Sequence, residues 1–328
     1  MQRTHSLIGW LAAGAACACL FACSRSSEPA PETSQAEPPA DLAATPAPAA
    51  APVPAPAAAP ESPPSVQLSP RHQEIAGRGK IVGGKNARAA LWPWIVAIGE
   101  GNRTAVAPYC SGTLIAPEWL VTGAHCEVLT GDYAIVGRID LGTDAGEIVR
   151  IVNVINHPDF NKSTFDNDIA LVKLEKAIDG ITPVPLVGAD GSAMKRAGNK
   201  LIAGWGQLGV HNPALTNYLQ EVKVTISLDQ TCIDNYHTIN RVITPNMFCA
   251  RGDIVDGSGD ATIADACHGD SGGPIVSFDR DDARPILIGI ISKGAGCGDP
   301  EFPGIYTRLS ALRCWVGHCM DENSCARC

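Results

Sequence analysis

Residues 265–274 read DACHGDSGGP, with two acids, one serine and three glycines set around a cysteine and a histidine. Glycine loses more backbone freedom on folding than any other residue, so three within six positions mark a stretch that supplies main-chain shape, not packing. The surrounding sequence gives the framework for that shape. Between Ile81 and His318 short apolar, β-branched runs recur: WIVAIG (94–99), EWLVTGA (118–124), DIALVKL (168–174), KLIAGWG (200–206) and PILIGIIS (285–292). Gly, Pro, Asn and Asp separate them, and long helical patterns are few. Many strands of four to eight residues bounded by turn residues predict an all-β barrel or sandwich, with no simple repeat at solenoid periods.

The whole chain has 328 residues, 13 cysteines and a formal charge of −9. An acidic chain without a basic patch argues against a nucleic-acid partner. The 45% hydrophobic content argues for a packed domain. The cysteine count favours an oxidising compartment. Residues 1–22 read as a signal peptide: Arg3 and His5 precede the apolar run LIGWLAAGAACACLFAC (7–23), shorter than a typical membrane span. Leu20-Phe21-Ala22-Cys23 resembles a bacterial lipobox, which implies acylation of Cys23 and a membrane partner reached through that lipid; an ordinary leader cut nearby is the alternative. Cys17 and Cys19 leave with the leader, and acylation of Cys23 leaves ten cysteines able to pair.

Residues 23–75 are dominated by Pro, Ala, Ser and Glu. This composition cannot build a core and predicts a disordered, polyproline-rich tether, with a reach of roughly 150 Å at about 3.1 Å per residue. Residues 76–80 are expected to be an activation segment, 81–318 the folded domain, and 319–328 a cysteine-rich tail.

Three segments carry the chemistry: TGAHC (122–126), DNDIAL (166–171) and GDSGGP (269–274). Their chain order His, Asp, Ser is that of the chymotrypsin group. Together with IVGG (81–84), GWG (204–206) and PGIYT (303–307), they resemble trypsin-like serine proteases from Ile81 to about Val316. The resemblance implies two antiparallel six-stranded β-barrels with a short C-terminal helix. It implies His125, Asp168 and Ser271 as catalytic triad: a hydroxyl is a weak nucleophile until a base takes its proton. It also implies the Gly269 and Ser271 N–H groups as oxyanion hole. Activation would follow cleavage after Lys80, the new Ile81 ammonium pairing with Asp270. No metal or cofactor is expected, the segment 131–150 showing no convincing calcium loop. Protein or peptide substrates and a monomer are expected.

Asp265, six residues before Ser271, matches the acid at the floor of the family's specificity pocket and implies cleavage after Arg or Lys. A guanidinium pairs with a carboxylate bidentately, and Ala266, where many relatives carry Ser, favours Arg further. Gly294 and Gly304 match the pocket-wall glycines, and Ser292 lies on the same wall. Lys293 stands where the family usually has Trp, so a cationic subsite is expected there. The family's disulfides map onto Cys110–Cys126, Cys232–Cys249 and Cys267–Cys297, leaving three possible pairings among Cys314, Cys319, Cys325 and Cys328. A catalytically inactive trypsin-fold binding module is the alternative function, and a structural surface lipoprotein a further one.

Overall fold

The computed structural model describes residues 66–76, 82–196, 198–209, 212–215, 217–227, 230–256, 262–267, 269–278, 284–321 and 325. The leader, Cys23, the stretch to residue 65, Lys80, Ile81 and His268 lie outside the described residues.

The apolar runs become strands with the expected periodicity. In the first half these are β1 (Ile95–Gly101), β2 (Val106–Ala116), β3 (Trp119–Thr122), β4 (Tyr133–Val136), β5 (Glu147–Asn156) and β6 (Ala170–Leu174). They close into an antiparallel barrel in the order β1-β2-β3-β6-β5-β4, the last strand returning to the first with Val96 opposite Val136. All four residues of β3 are buried between β2 and β6. In β5, Val149 and Ile151 point inward while Arg150 and Val152 face out, the alternation of a strand with one wet face.

The second half repeats the plan. Its strands are β7 (Lys200–Gly204), β8 (Gln220–Ser227), β9 (Met247–Gly252), β10 (Pro274–Phe278), β11 (Pro285–Lys293) and β12 (Gly304–Arg308). The order is β8-β9-β12-β11-β10-β7, closed by β7 against β8 with Ile202 opposite Val222. Phe248 stacks on Tyr306 inside it, ring centres 5.5 Å apart. Both barrels are therefore closed and six-stranded, which removes free sheet edges.

Three longer helices lie outside the barrels. The first, α1 (Pro70–Ala76), precedes the first barrel, and α2 (Gln230–Thr238) carries Cys232, bonded to Cys249 of β9. Leu309, Leu312, Trp315, Val316 and Cys319 of α3 (Leu309–Asp321) are buried at the 3–4 residue spacing of one helical face. Two sequence expectations need correction here. The tether expected to be disordered through residue 75 is folded from Val66, because His72 is buried against Tyr109. The cysteine-rich tail expected to start at 319 begins inside α3, with Cys319 buried and joined to Cys325. Cys314 is also in a disulfide. Among the described residues no helix is long and apolar enough to cross a membrane.

The two halves are stitched by polar contacts to a buried carboxylate. Glu221 in β8 accepts from the Trp92 indole at 2.8 Å and from Arg88 at 2.9 Å, both on the approach to the first barrel. Its carboxylate is inaccessible to solvent. Glu221→Ala leaves the buried Trp92 N–H without an acceptor, with an expected loss of about 1–3 kcal/mol and a lower urea midpoint. Glu221→Gln, which keeps an oxygen for Trp92, should recover part of it.

Candidate active site

β3 runs through Gly123 into a single helical turn, Ala124–Cys126, that presents His125. Cys126 is bonded to Cys110 of β2, pinning this turn to the barrel wall. Asp168 lies just before β6 and is wholly buried. Its Oδ2 lies 2.7 Å from His125 Nδ1, and its Oδ1 accepts the His125 main-chain N–H at 2.9 Å. From the second barrel, Ser292 Oγ donates to Oδ2 at 2.5 Å and Thr307 Oγ1 donates to the Asp168 carbonyl at 2.8 Å. Burial alone raises the Asp168 pKa, but the His125 ring, the Ser292 hydroxyl and the His125 amide outweigh it and hold the group below its ordinary value. His125 Nε2, on the other side of the ring, is buried and has no hydrogen-bond partner among the described residues.

His125 and Ser271 line one cavity of about 610 Å³. The loop bearing Ser271 turns at Gly269 (φ +86°) and Gly272 (φ +77°), conformations that L side chains rarely adopt. A Cβ on Gly272 would also lie 2.1 Å from Thr122 Oγ1, so only glycine lets the loop lie this close to the first barrel. The Ser271 carbonyl accepts from the Ser111 N–H of β2 at 2.8 Å, anchoring the loop across the interface. Among the described residues no hydrogen bond is made by the Gly269 or Ser271 N–H.

Asp265 and Asp270 are buried without an ion-pair partner among the described residues. Asp265 accepts from the Ala266 N–H at 2.8 Å and the Gly298 N–H at 3.4 Å, yet burial pushes its pKa up to about 7. Asp270 accepts from Gly206 at 2.9 Å and Cys267 at 3.1 Å, and burial again raises it to about 7. Gly304 faces Asp265: a Cβ there would sit 2.7 Å from its Oδ1. Ala266, Ser292, Gly294 and Gly304 line the same cavity as Ser271, and the Cys267–Cys297 disulfide closes its rim. Ser292 contributes main chain to the wall, since its hydroxyl is turned to Asp168. Val82 exchanges main-chain hydrogen bonds with Asp265 at 2.9 and 3.2 Å, so the chain just beyond Ile81 already runs beside this loop.

Lys293 does not stand free in the cavity. Its ammonium donates to the Thr164 carbonyl and lies 5.1 Å from the Phe165 ring centre, and burial together with the nearby Arg241 lowers its pKa. Phe165, with its ring centre 5.4 Å from that of His125, supplies an apolar wall that sequence reasoning misses. It sits in the polar stretch NKSTFDND (161–168) at φ +61°, where neither composition nor periodicity marks it. Tyr306 lies in the PGIYT motif, but that motif does not assign its hydroxyl, which is buried without a partner among the described residues, in the electrostatic reach of Asp265. The sulfurs of the Cys110–Cys126 pair lie near His125, but they are bonded to each other and offer no thiolate to a metal.

Residues 81–316 match the family model described as Trypsin. The chain belongs to the trypsin family. Serine protease 56 of Mus musculus is 31% identical over 275 residues, covering 81% of this chain and 43% of that protein. Trypsin Blo t 3 of Blomia tropicalis is 35% identical over 243 residues, covering 73% and 85%. Transmembrane protease serine 7 of Mus musculus is 34% identical over 250 residues, covering 72% and 28%. The chain thus spans less than half the length of two of these relatives.

The two raised carboxyls of this trypsin-family domain set its pH response. A group whose folded pKa exceeds its unfolded value binds more protons in the native state, so stability is highest below the unfolded value and falls as pH rises through the folded one. Stability should therefore decline between about pH 4 and pH 7, the interval bounded by the ordinary carboxyl value and the value of about 7 for both acids. Asp270→Asn removes one ionisation, so it should flatten this decline and raise the urea midpoint at pH 8 relative to the parent. An unchanged slope would show that Asp270 is already compensated.

Proposed function

We propose that the chain is the precursor of a serine endopeptidase that cleaves after Arg or Lys and is activated by cutting at Lys80–Ile81. The observation that carries the reading is the His125–Asp168 pair, with a bare Nε2 on the wall of the cavity that Ser271 also lines. His125 Nε2 takes the Ser271 hydroxyl proton as Oγ bonds to the substrate carbonyl carbon. The carbonyl oxygen becomes an oxyanion facing the Gly269 and Ser271 N–H groups. The intermediate collapses, the carbon–nitrogen bond breaks, and the same proton passes from His125 to the leaving amine. Water then repeats the sequence on the acyl-enzyme. Asp168, held ionised, keeps the ring in the tautomer whose Nε2 accepts.

Specificity and activation draw on the two uncompensated acids. A substrate guanidinium entering past Gly304 would pair with Asp265. The Ile81 ammonium freed by cleavage would pair with Asp270, ordering the loop that carries the oxyanion donors. The disulfides suit an oxidising compartment. Export on residues 1–22 and lipid anchoring at Cys23 rest on the leader sequence.

A serine-directed phosphonate should label Ser271 of the cut chain and fail on Ser271→Ala. An unlabelled cut chain would favour a binding module. Lys80→Gln should leave the chain uncut and inactive; full activity without cleavage would remove the activation step. Asp265→Ser should lower kcat/KM on Arg peptides by about 10²–10⁴-fold, the rate equivalent of stranding one member of a buried ion pair. Faster cleavage after Phe or Ala than after Arg in the parent would overturn the specificity. Because Asp265 must ionise to bind a cation, affinity for Arg peptides should fall as pH drops below about 7, and Asp265→Ser should lose that component.

A further inference from the structure

Residues 66–76 sit on the first barrel through contacts that a tether does not need. Ser69 donates to the Glu100 carboxylate twice, from its main chain at 2.6 Å and its hydroxyl at 2.5 Å. His72 Nδ1 pairs with the same carboxylate. The His72 ring has no solvent exposure and stacks flat on Tyr109, centres 3.8 Å apart and planes 5° from parallel. Its Nε2 lies 3.4 Å from the Glu127 carbonyl. Tyr109 is fixed from behind by Asp132, which accepts its hydroxyl at 2.7 Å. Arg71 donates to Glu127 at 2.7 Å, where Lys162 also pairs. The turn is internally braced: Gln73 bonds the Leu68 carbonyl through its side chain at 2.7 Å and the Ser69 carbonyl through its N–H at 2.9 Å. Burial raises the Glu100 pKa, but the donors from Ser69 and His72 outweigh it and keep the carboxyl ionised below its ordinary value.

The segment also reaches two cavities. Arg71 lines the cavity that holds His125 and Ser271, while Val66 and Leu68 line a neighbouring cavity bounded by Ser111 and Gly269. Between Cys23 and Cys110 the chain has no cysteine, so a cut at Lys80–Ile81 would leave nothing covalent between residues 24–80 and the barrels.

We propose that residues 66–76 are a docking peptide for a preformed site made by Glu100, Tyr109 and Glu127, and that they hold the N-terminal segment on the domain after the chain is cut. Docking of this kind rests on the activation cut proposed above, but not on the catalytic reading. The peptide's anchors are of unequal weight. The Arg71–Glu127 pair is partly exposed and contributes little. The buried His72 ring and the charge-assisted bonds to Glu100 carry the affinity. Loss of the His72 contact should therefore weaken binding about tenfold or more.

The test uses the full chain with Ser271→Ala, to prevent self-digestion, and a recognition sequence for an unrelated site-specific protease in place of residues 77–80. After cutting, the N-terminal fragment should co-elute with the domain in size exclusion at micromolar concentration. A synthetic peptide of residues 66–76 should displace it. The same peptide with His72→Ala should need about tenfold more or fail. The substitution is confined to the competitor, so the domain's folding is untouched. Separation of the fragment on cutting, or equal competition by both peptides, would overturn the proposal. Loss of phosphonate labelling at Ser271 in the parent chain would leave it standing and count only against the catalytic reading.

Discussion

The buried carboxylate of Asp168 is the constraint around which the two barrels are arranged. An ionised carboxyl out of water costs several kcal/mol unless donors surround it. Here the donors come from both halves: the His125 ring and amide from the first, the Ser292 hydroxyl from the second, with Thr307 on the adjoining carbonyl. Pulling the barrels apart would expose the core between them and also strip Asp168 of a compensating bond. The relative placement of β6, β11 and β12 is thus tied to the ionisation of one residue, and the orientation of His125 is set by the same bonds.

The other two buried acids are left in the opposite condition. Among the described residues Asp265 and Asp270 are each reached by main-chain N–H groups alone, and burial raises both to about 7. Two N–H donors hold a carboxylate less well than a cation does, so these positions are poised to gain from one. The main-chain bonds between Val82 and Asp265 hold the start of the described domain beside this loop. The buried Tyr306 hydroxyl, without a partner among the described residues, lies in the electrostatic reach of Asp265. The stability surrendered at these acids as pH rises and the gain they would draw from a cation are two consequences of the same desolvation.

Legibility in the sequence was confined to whatever is local. Strand periodicity in β3 and β6, the glycines around Ser271 and the separate motifs around His125, Asp168 and Ser271 each lie in a short window, and the three family-implied disulfides form. The features that escaped depend on contacts between distant positions. His72 is one histidine in a proline-rich stretch until Tyr109 and Glu100 lie under it. Lys293 reads as a free cation until the Thr164 carbonyl and the Phe165 face take it up. Cys319 reads as tail until α3 continues through it with one face buried.

The covalent links fall where hydrogen-bond ladders stop. Barrel strands are held by their neighbours over many residues, but His125 sits on one helical turn and Asp265 on an irregular loop. Cys110–Cys126 spans 16 residues and ties the first to β2; Cys267–Cys297 spans 30 and ties the second to the opposite rim. Closing loops of this length removes a few kcal/mol of unfolded-state entropy, roughly 3–4 by the chain-entropy account. The local effect matters more: each link fixes an irregular segment that has no ladder to position it. Asp168 has no such link because bonds from both barrels already hold it. The cleft is thus rigid by two different means, covalent at its rims and electrostatic at its centre, and only the second responds to pH.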